Sequence, residues 1–185
     1  MFLDGTLGGG GHTRLLAKLV EPTGSVVALD QDPGAVEAAE AELADLPVRA
    51  VQANYRDGPE VLRELGIASV NGMLLDLGLS SDQLADTSRG FSFSVDGPLD
   101  LRFNPALGQP AWRLVNRLSA QHLADLIYKY GEERFSRRIA RNIVEKRRKS
   151  PIRSSVQLAE LVSRCVPPAG RQQRIHPATR TFSIN

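Results

Sequence analysis

Met1-Phe2-Leu3-Asp4-Gly5-Thr6-Leu7-Gly8-Gly9-Gly10-Gly11-His12 reads as a short buried strand ending on a carboxylate, then a glycine-rich turn, then a helix predicted from about Thr13. A turn without side chains lets the backbone come close to a ligand. The N–H groups that open the following helix offer unpaired donors and a partial positive charge to an anionic group. About 20 residues on, Val26-Val27-Ala28-Leu29-Asp30 is a second apolar strand ending in an acid, the place where a βαβ unit holds a ribose hydroxyl pair. Asp30 is therefore the candidate ribose ligand.

Three cofactor classes compete for this turn. A triphosphate loop, G-x-x-x-x-G-K-[ST], would align with Thr6 to Thr13, but Thr6 then stands at the first glycine and His12 at the lysine, which argues against it. The dinucleotide fingerprint G-x-G-x-x-G fits Gly8 and Gly10 but places Thr13 where the third glycine allows close helix packing, so NAD is weakly supported. S-adenosylmethionine remains, because its methyltransferases usually carry an acid at the end of the first strand, here Asp4, ahead of the glycines. A tight turn that binds nothing is the bland alternative. Four consecutive glycines argue against it, since each costs backbone entropy on folding.

Further along, alternating segments continue the same pattern. A helix with Val36, Ala39, Leu43 and Leu46 at helical spacing is predicted over 33–46, a strand over 48–51, a helix around Val61, Leu62 and Leu65, and a strand from Gly72 to Asp76. This order predicts an α/β fold with a parallel sheet, helices on both faces, and ligands at the carboxyl ends of the strands. Asp4, Asp30, Asn54-Tyr55 and Asp76 all fall at such ends. Tyr55 is placed to lie against an adenine. From Leu77 to Asn104 no period is visible, and a long irregular stretch with this aromatic content reads as a functional loop. Beyond Pro110 the pattern is helical, with Leu123, Leu126, Ile127 and Tyr130 on one apolar stripe and Phe135, Ile139 and Ile143 on the next. A final helix is capped by Ser154-Ser155.

The 185 residues suffice for one good core, or a core and a small appended domain, and 42% hydrophobic with 24% charged residues excludes a disordered chain. Charge divides the sequence. Residues 1–109 hold 7 Lys and Arg against 16 Asp and Glu, whereas residues 110–185 hold 16 against 5. The basic half is thus a candidate for nucleic acid, with Arg137, Arg138, Arg141, Arg147 and the Lys146 to Lys149 cluster on phosphates. A lone Cys165 points to a reducing, cytoplasmic setting without disulfides, and no apolar run or leader indicates a membrane. His12, His122 and His176 lack ligand spacing, so no metal is expected.

The blocks Asp4 to His12, Leu75-Asp76-Leu77-Gly78-Leu79-Ser80-Ser81 with Gln83-Leu84, Arg89-Gly90-Phe91-Ser92-Phe93, Asp96 to Arg102, Tyr130-Gly131-Glu132-Glu133 and His176-Pro177-Ala178-Thr179-Arg180-Thr181-Phe182 together resemble the RsmH (MraW) family. Its members are S-adenosylmethionine-dependent methyltransferases acting on N4 of cytidine 1402 in the decoding centre of 16S ribosomal RNA. The resemblance implies a Rossmann-like methyltransferase core with an inserted small helical domain. It also implies cofactor contacts from Gly10, Gly11, His12, Asp30, Tyr55, Asp76 and Gln83. The expected domains are a cofactor-binding core over 1–109, a helical RNA domain over 110–176, and the start of a return to the core over 177–185.

Cytosine N4 is a poor nucleophile, so a carboxylate accepting an N4 hydrogen would help, and Asp76 is the candidate. Phe91 and Phe93 are candidates to stack on a base drawn out of its stack, although two alternating phenylalanines more often belong to a core. Methylation at C5 would need a cysteine nucleophile, and Cys165, the lone cysteine, lies on an apolar helix face far along the chain. The chain departs from the family pattern by opening inside the first strand and by following Phe182 with Ser183-Ile184-Asn185 instead of Gln-Ala-Leu-Arg-Ile. The expectation is a product truncated at both ends, with the Asp76 strand left at a sheet edge. An inactive RNA-binding remnant and, further off, a NAD-dependent oxidoreductase are the alternatives.

Overall fold

The computed structural model describes residues 1–167, which form two compact units, Met1–Gln83 and Leu84 onward. In the first, β1 (Phe2–Asp4), α1 (Gly11–Val20), β2 (Val26–Asp30), α2 (Pro33–Glu42), β3 (Val48–Gln52), a 3-10 turn (Tyr55–Asp57), α3 (Gly58–Glu64), β4 (Gly72–Leu74) and the short α4 (Ser81–Ala85, running into the second unit) follow in order. The strands are all parallel in the order β3-β2-β1-β4, with Asp4 beside Ala28 and Leu74, and Asp30 beside Gln52. This is the expected Rossmann-like α/β sheet.

Strand β2 is central and nearly continuous in apolar residues, because both of its faces are covered. Leu7, Ala28, Val36, Ala39 and Leu43 form the core on one side, and Leu3, Val27, Leu29 and Val61 the core on the other. Asp32 caps α2 by accepting the Gly34 N–H at 3.0 Å, and Pro33 in the first turn has no N–H to leave unpaired. Strand β4 lies at the edge of the four, and Met73 within it and Leu75, Leu77 and Leu79 beyond it are exposed.

Several boundaries differ from expectation. α1 starts at Gly11, two residues early, and its Leu15 and Leu19 face outward instead of into the core. α2 stops at Glu42, and β4 ends at Leu74, so Asp76 stands beyond the strand. Ser80 and Gln83 cap α4 reciprocally: the Ser80 N–H donates to Gln83 Oε1 and the Gln83 N–H to Ser80 Oγ, each at 3.1 Å. This S-x-x-Q capping box was visible in the sequence and identifies a helix inside a stretch read as irregular.

The second unit packs α5 (Ala111–Arg117), α6 (Ala120–Gly131), α7 (Ser136–Lys149) and α8 (Ser155–Cys165) around Leu123, Ile127, Ile139, Ile143, Leu158 and Val162. Ser119 and Ser154 cap α6 and α8 with side-chain oxygens, the latter as expected. The division between units falls after Gln83, not at 109/110. The intervening loop supplies Phe91, Leu99 and Leu101 to the helical core, and Leu99 N–H to Arg153 O and Ser155 N–H to Gly97 O stitch it down. Residues 168–185, with the expected return segment 177–185 and the His176 to Phe182 block, lie outside the described residues.

Two carboxylates in that loop make the unit acid-sensitive. The Arg102 side chain, hydrogen-bonded to Asp100 at 2.7 Å, holds its carboxyl below the ordinary range against the opposing effect of burial. Hydrogen bonds from the side chain and backbone of Ser88, with help from Arg89, do the same for Asp86. Groups whose folded pKa is depressed stabilise the fold above the unfolded value near 3.9 and lose that contribution as pH falls through the folded value. The urea midpoint of the chain is expected to drop as pH falls below about 4, and the drop to shrink in the double variant D86N/D100N.

Candidate active site

The glycine turn is held from beneath by Asp4 and from the side by Asp30. Asp4, fully buried, accepts the Thr13 hydroxyl at 2.6 Å and the Thr6 N–H at 3.0 Å. Asp30 Oδ2 accepts the Gly8 N–H at 2.8 Å, and its Oδ1 accepts the Asp32 N–H at 2.9 Å. Gly8 and Gly10 have φ of +49° and +74°, a region costly for residues with a Cβ, so the turn depends on glycine there. Gly10 precedes α1, and a side chain on Gly11 would meet nothing within 4 Å, so the helix opens onto free space. The Gly10 N–H donates to the Leu7 carbonyl at 2.8 Å, and the N–H groups of Gly11, His12 and Thr13 have no intrahelical acceptor, which suits an anionic group.

Thr13 also bears on cofactor class. It occupies the place of the third fingerprint glycine, but it is buried and its hydroxyl is spent on Asp4. Helix and strand meet here through a charge-assisted hydrogen bond, not through the bare backbone contact a dinucleotide loop uses. Thr13→Val is expected to lower stability by about 1–3 kcal/mol, because it leaves a buried carboxylate oxygen without its donor; urea denaturation measures it.

The other expected cofactor residues gather on the same rim. Tyr55 opens the 3-10 turn after β3 and is 39% exposed, with its Cβ close to where a side chain on Gly5 would begin. Asp76 lies beyond β4, its N–H donating to Thr6 Oγ1 at 2.7 Å, and its carboxylate is 3.7 Å from His12 Nδ1. Both of those side chains are more than half exposed, so they are reachable by a ligand. Gln83 is different. It is buried, its Oε1 accepts the Ser80 N–H, and its Nε2 donates to Asp32 Oδ2 at 3.3 Å. Its amide fastens α4 to the end of β2. Asp32, Thr6 and Thr13 are the members of this network that were not singled out from the sequence. For Asp32 the signal was present as an Asp-Pro helix start.

In the helical unit the expected substrate residues separate into two groups. Arg137, Arg138 and Arg141 are exposed on α7. Arg147 is half-buried, donates to the Val115 carbonyl at 2.7 Å, and burial pushes its pKa down, so it joins α7 to α5. Phe91 is not presented to a base: it is buried, its ring centroid 5.3 Å from that of Phe103 and Arg89 over its face. Burial of a large ring in the core outweighs its use as a surface platform. Phe93 is half-buried. Cys165 is buried in the helical core, and burial pushes its thiol pKa up, the reverse of what a nucleophile requires.

A concavity of about 600 Å³ between α2 and β3 is lined by Val36, Leu43 and Val48 among others and by none of the glycine-turn residues. Among the described residues no group of three or more His, Cys, Asp or Glu is placed to hold a metal ion, and no helix is long and apolar enough to cross a membrane.

Comparison with known proteins decides the lineage. The profile of the MraW methylase family matches residues 1–184. The chain belongs to the MraW methylase family. It is 51% identical over 183 residues to a protein of Deinococcus radiodurans named ribosomal RNA small subunit methyltransferase H, covering 98% of this chain and 56% of that one. A protein of the same name from Thermomicrobium roseum is 48% identical over 183 residues, with 98% and 56% covered, and one from Syntrophotalea carbinolica is 48% identical over 184 residues, with 98% and 59% covered. This MraW chain thus spans somewhat more than half the length of these curated relatives.

Proposed function

We propose that this chain carries the cofactor-binding and RNA-binding parts of a cytoplasmic S-adenosylmethionine-dependent methyltransferase acting on N4 of a cytidine, number 1402, in the 16S RNA of the small ribosomal subunit. The observation that supports it most is the convergence of a glycine turn, Asp30, Tyr55, His12 and Asp76 on one rim of a parallel sheet, in a chain of the MraW methylase family.

The residues present fit that cofactor. Asp30 would accept from the ribose hydroxyls, Tyr55 would lie against the adenine, and the Gly10-Gly11-His12 helix start would receive the carboxylate of the amino acid moiety. Gln83 would act by keeping α4 fastened to Asp32. When bound, the sulfonium supplies an already activated methyl group, so the protein's task is alignment and exclusion of water. Asp76 would accept a hydrogen of the cytosine amine, orienting it and stabilising the positive charge that develops as the C–N bond forms. Thr6 fixes the backbone of Asp76, and His12 faces its carboxylate. Arg137, Arg138 and Arg141 would hold RNA phosphates, giving binding that weakens with salt.

Calorimetric titration of the chain with S-adenosylmethionine and, separately, with NAD tests the cofactor. Binding of the first alone is the expected result; binding of NAD alone overturns the reading. Transfer of labelled methyl to small ribosomal subunits, localised to an N4-methylcytidine, tests the reaction.

A further inference from the structure

We propose that the end of α6 is a two-sided stacking platform for unpaired bases, with Tyr128 on one side of Lys129 and Tyr130 on the other, so that the helical unit takes single-stranded in preference to duplex RNA. This rests on the RNA reading above and names the form of RNA and the side chains that select it.

Helical spacing assigns Tyr130 to the apolar stripe of α6, yet the stripe that is buried consists of Leu123, Ala124, Ile127 and Gly131. Tyr130 is 53% exposed and Tyr128 64% exposed. At 100° per residue the two tyrosines flank Ile127 on either side, in the last turn of the helix, where the core asks for neither ring. Gly131 and Glu132, the latter at φ +50°, then turn the chain toward α7.

Cations surround this turn. The Lys129 ammonium lies 5.1 Å from the Tyr130 ring centroid, Arg134 follows with its guanidinium 4.8 Å from the Phe135 centroid, and Arg137 and Arg138 are exposed in the first turn of α7. The acids of the turn are Glu132, which is exposed, and Glu133, which is buried and accepts the Phe135 N–H at 2.8 Å. The local balance is positive, which favours a polyanion over a protein partner for the same rings.

The form of RNA follows from what exposed rings can do. A duplex hides the faces of its bases and is gripped through phosphates and 2′-hydroxyls, for which tyrosine rings are of little use. A single strand offers every base face. Exposed rings interleaved with cations are the combination that binds it, the rings by stacking and the cations along the backbone.

Fluorescence anisotropy of the full chain with a labelled unstructured oligocytidine of about 12 nucleotides and a duplex of the same length tests this. The single strand is expected to bind more tightly. Tyr128→Ala with Tyr130→Ala is expected to weaken it by about 5- to 100-fold with an unchanged salt slope, because a neutral ring releases no counterions. The corresponding Phe pair is expected to retain binding. Arg137→Ala with Arg138→Ala is expected to make the slope shallower by about 0.7 per charge removed. Both tyrosines are exposed, so an unchanged thermal midpoint confirms that the variants fold. Preference for the duplex, or wild-type affinity in the alanine pair, overturns the platform while leaving RNA binding in place. Failure of the wild-type chain to bind either probe at low salt overturns the RNA reading, and the platform with it.

Discussion

Asp30→Ala is expected to weaken S-adenosylmethionine binding by at least about 100-fold in a calorimetric titration, which is about 2.7 kcal/mol. Two effects add. A carboxylate accepting from a ribose diol makes charge-assisted hydrogen bonds worth about 1.5–3 kcal/mol each, and alanine replaces them with nothing. The same carboxylate accepts the Gly8 N–H and the Asp32 N–H, so its removal also frees the turn that receives the rest of the cofactor. Asp30→Asn separates the two, since an amide oxygen can keep one backbone bond but carries no charge; an intermediate loss is expected. Asp76→Asn is the matching control. If Asp76 serves the amine, its variant should bind the cofactor with little change and lose methyl transfer. Retention of full affinity in Asp30→Ala would show that the ribose is held elsewhere.

Much of this site was legible because its parts are covalently local. Asp4, the glycines and Asp30 are each defined by a strand ending in a short polar turn, and parallel pairing then brings the strand ends together whatever the side chains between them do. The features that were missed depend on contacts across long separations. Gln83, expected at the cofactor, donates to Asp32, 51 residues away, and no local pattern encodes that bond. The alternation of Phe91 and Phe93 suits a core as well as a stacking pair, and Phe91 lies in the helical core beside Phe103, whose approach depends on how the whole loop folds back. Tyr130 shows the limit of periodicity from the other side. Its spacing from Leu123 and Ile127 fits a buried stripe, but one helix face can be filled by smaller neighbours, and here Ala124 and Gly131 fill it. Arg147 reads as one more cation in a basic run, and only the proximity of Val115 turns it inward.

The loop that opens the second unit yields the second large effect. Gly90→Ala is expected to cost at least about 3 kcal/mol and, for a unit of this size, to lower the thermal midpoint by more than about 10 °C. Gly90 has φ +69°, where an L-residue with a Cβ loses about 1 kcal/mol or more. The greater part of the penalty is steric. A Cβ at this position would overlap the Pro98 carbonyl, which is backbone and cannot rotate away, and it would also touch Ser155. Pro98 is bridged to Ser154, and Ser155 N–H is bound to Gly97 O, so relief of the overlap requires the loop to leave α8. Leu99 and Leu101, both buried in the helical core, would move with it. A change at Gly11, where a side chain meets open space, should leave stability nearly unchanged while obstructing the cofactor's approach to the helix start. Thermal melts of the two alanine variants beside their cofactor affinities therefore separate a glycine required by packing from one required by a ligand. A Gly90→Ala variant that melts like the parent would mean that the loop is not held to α8 as described, and the assignment of Leu84 to Asn104 to the helical unit would fall with it.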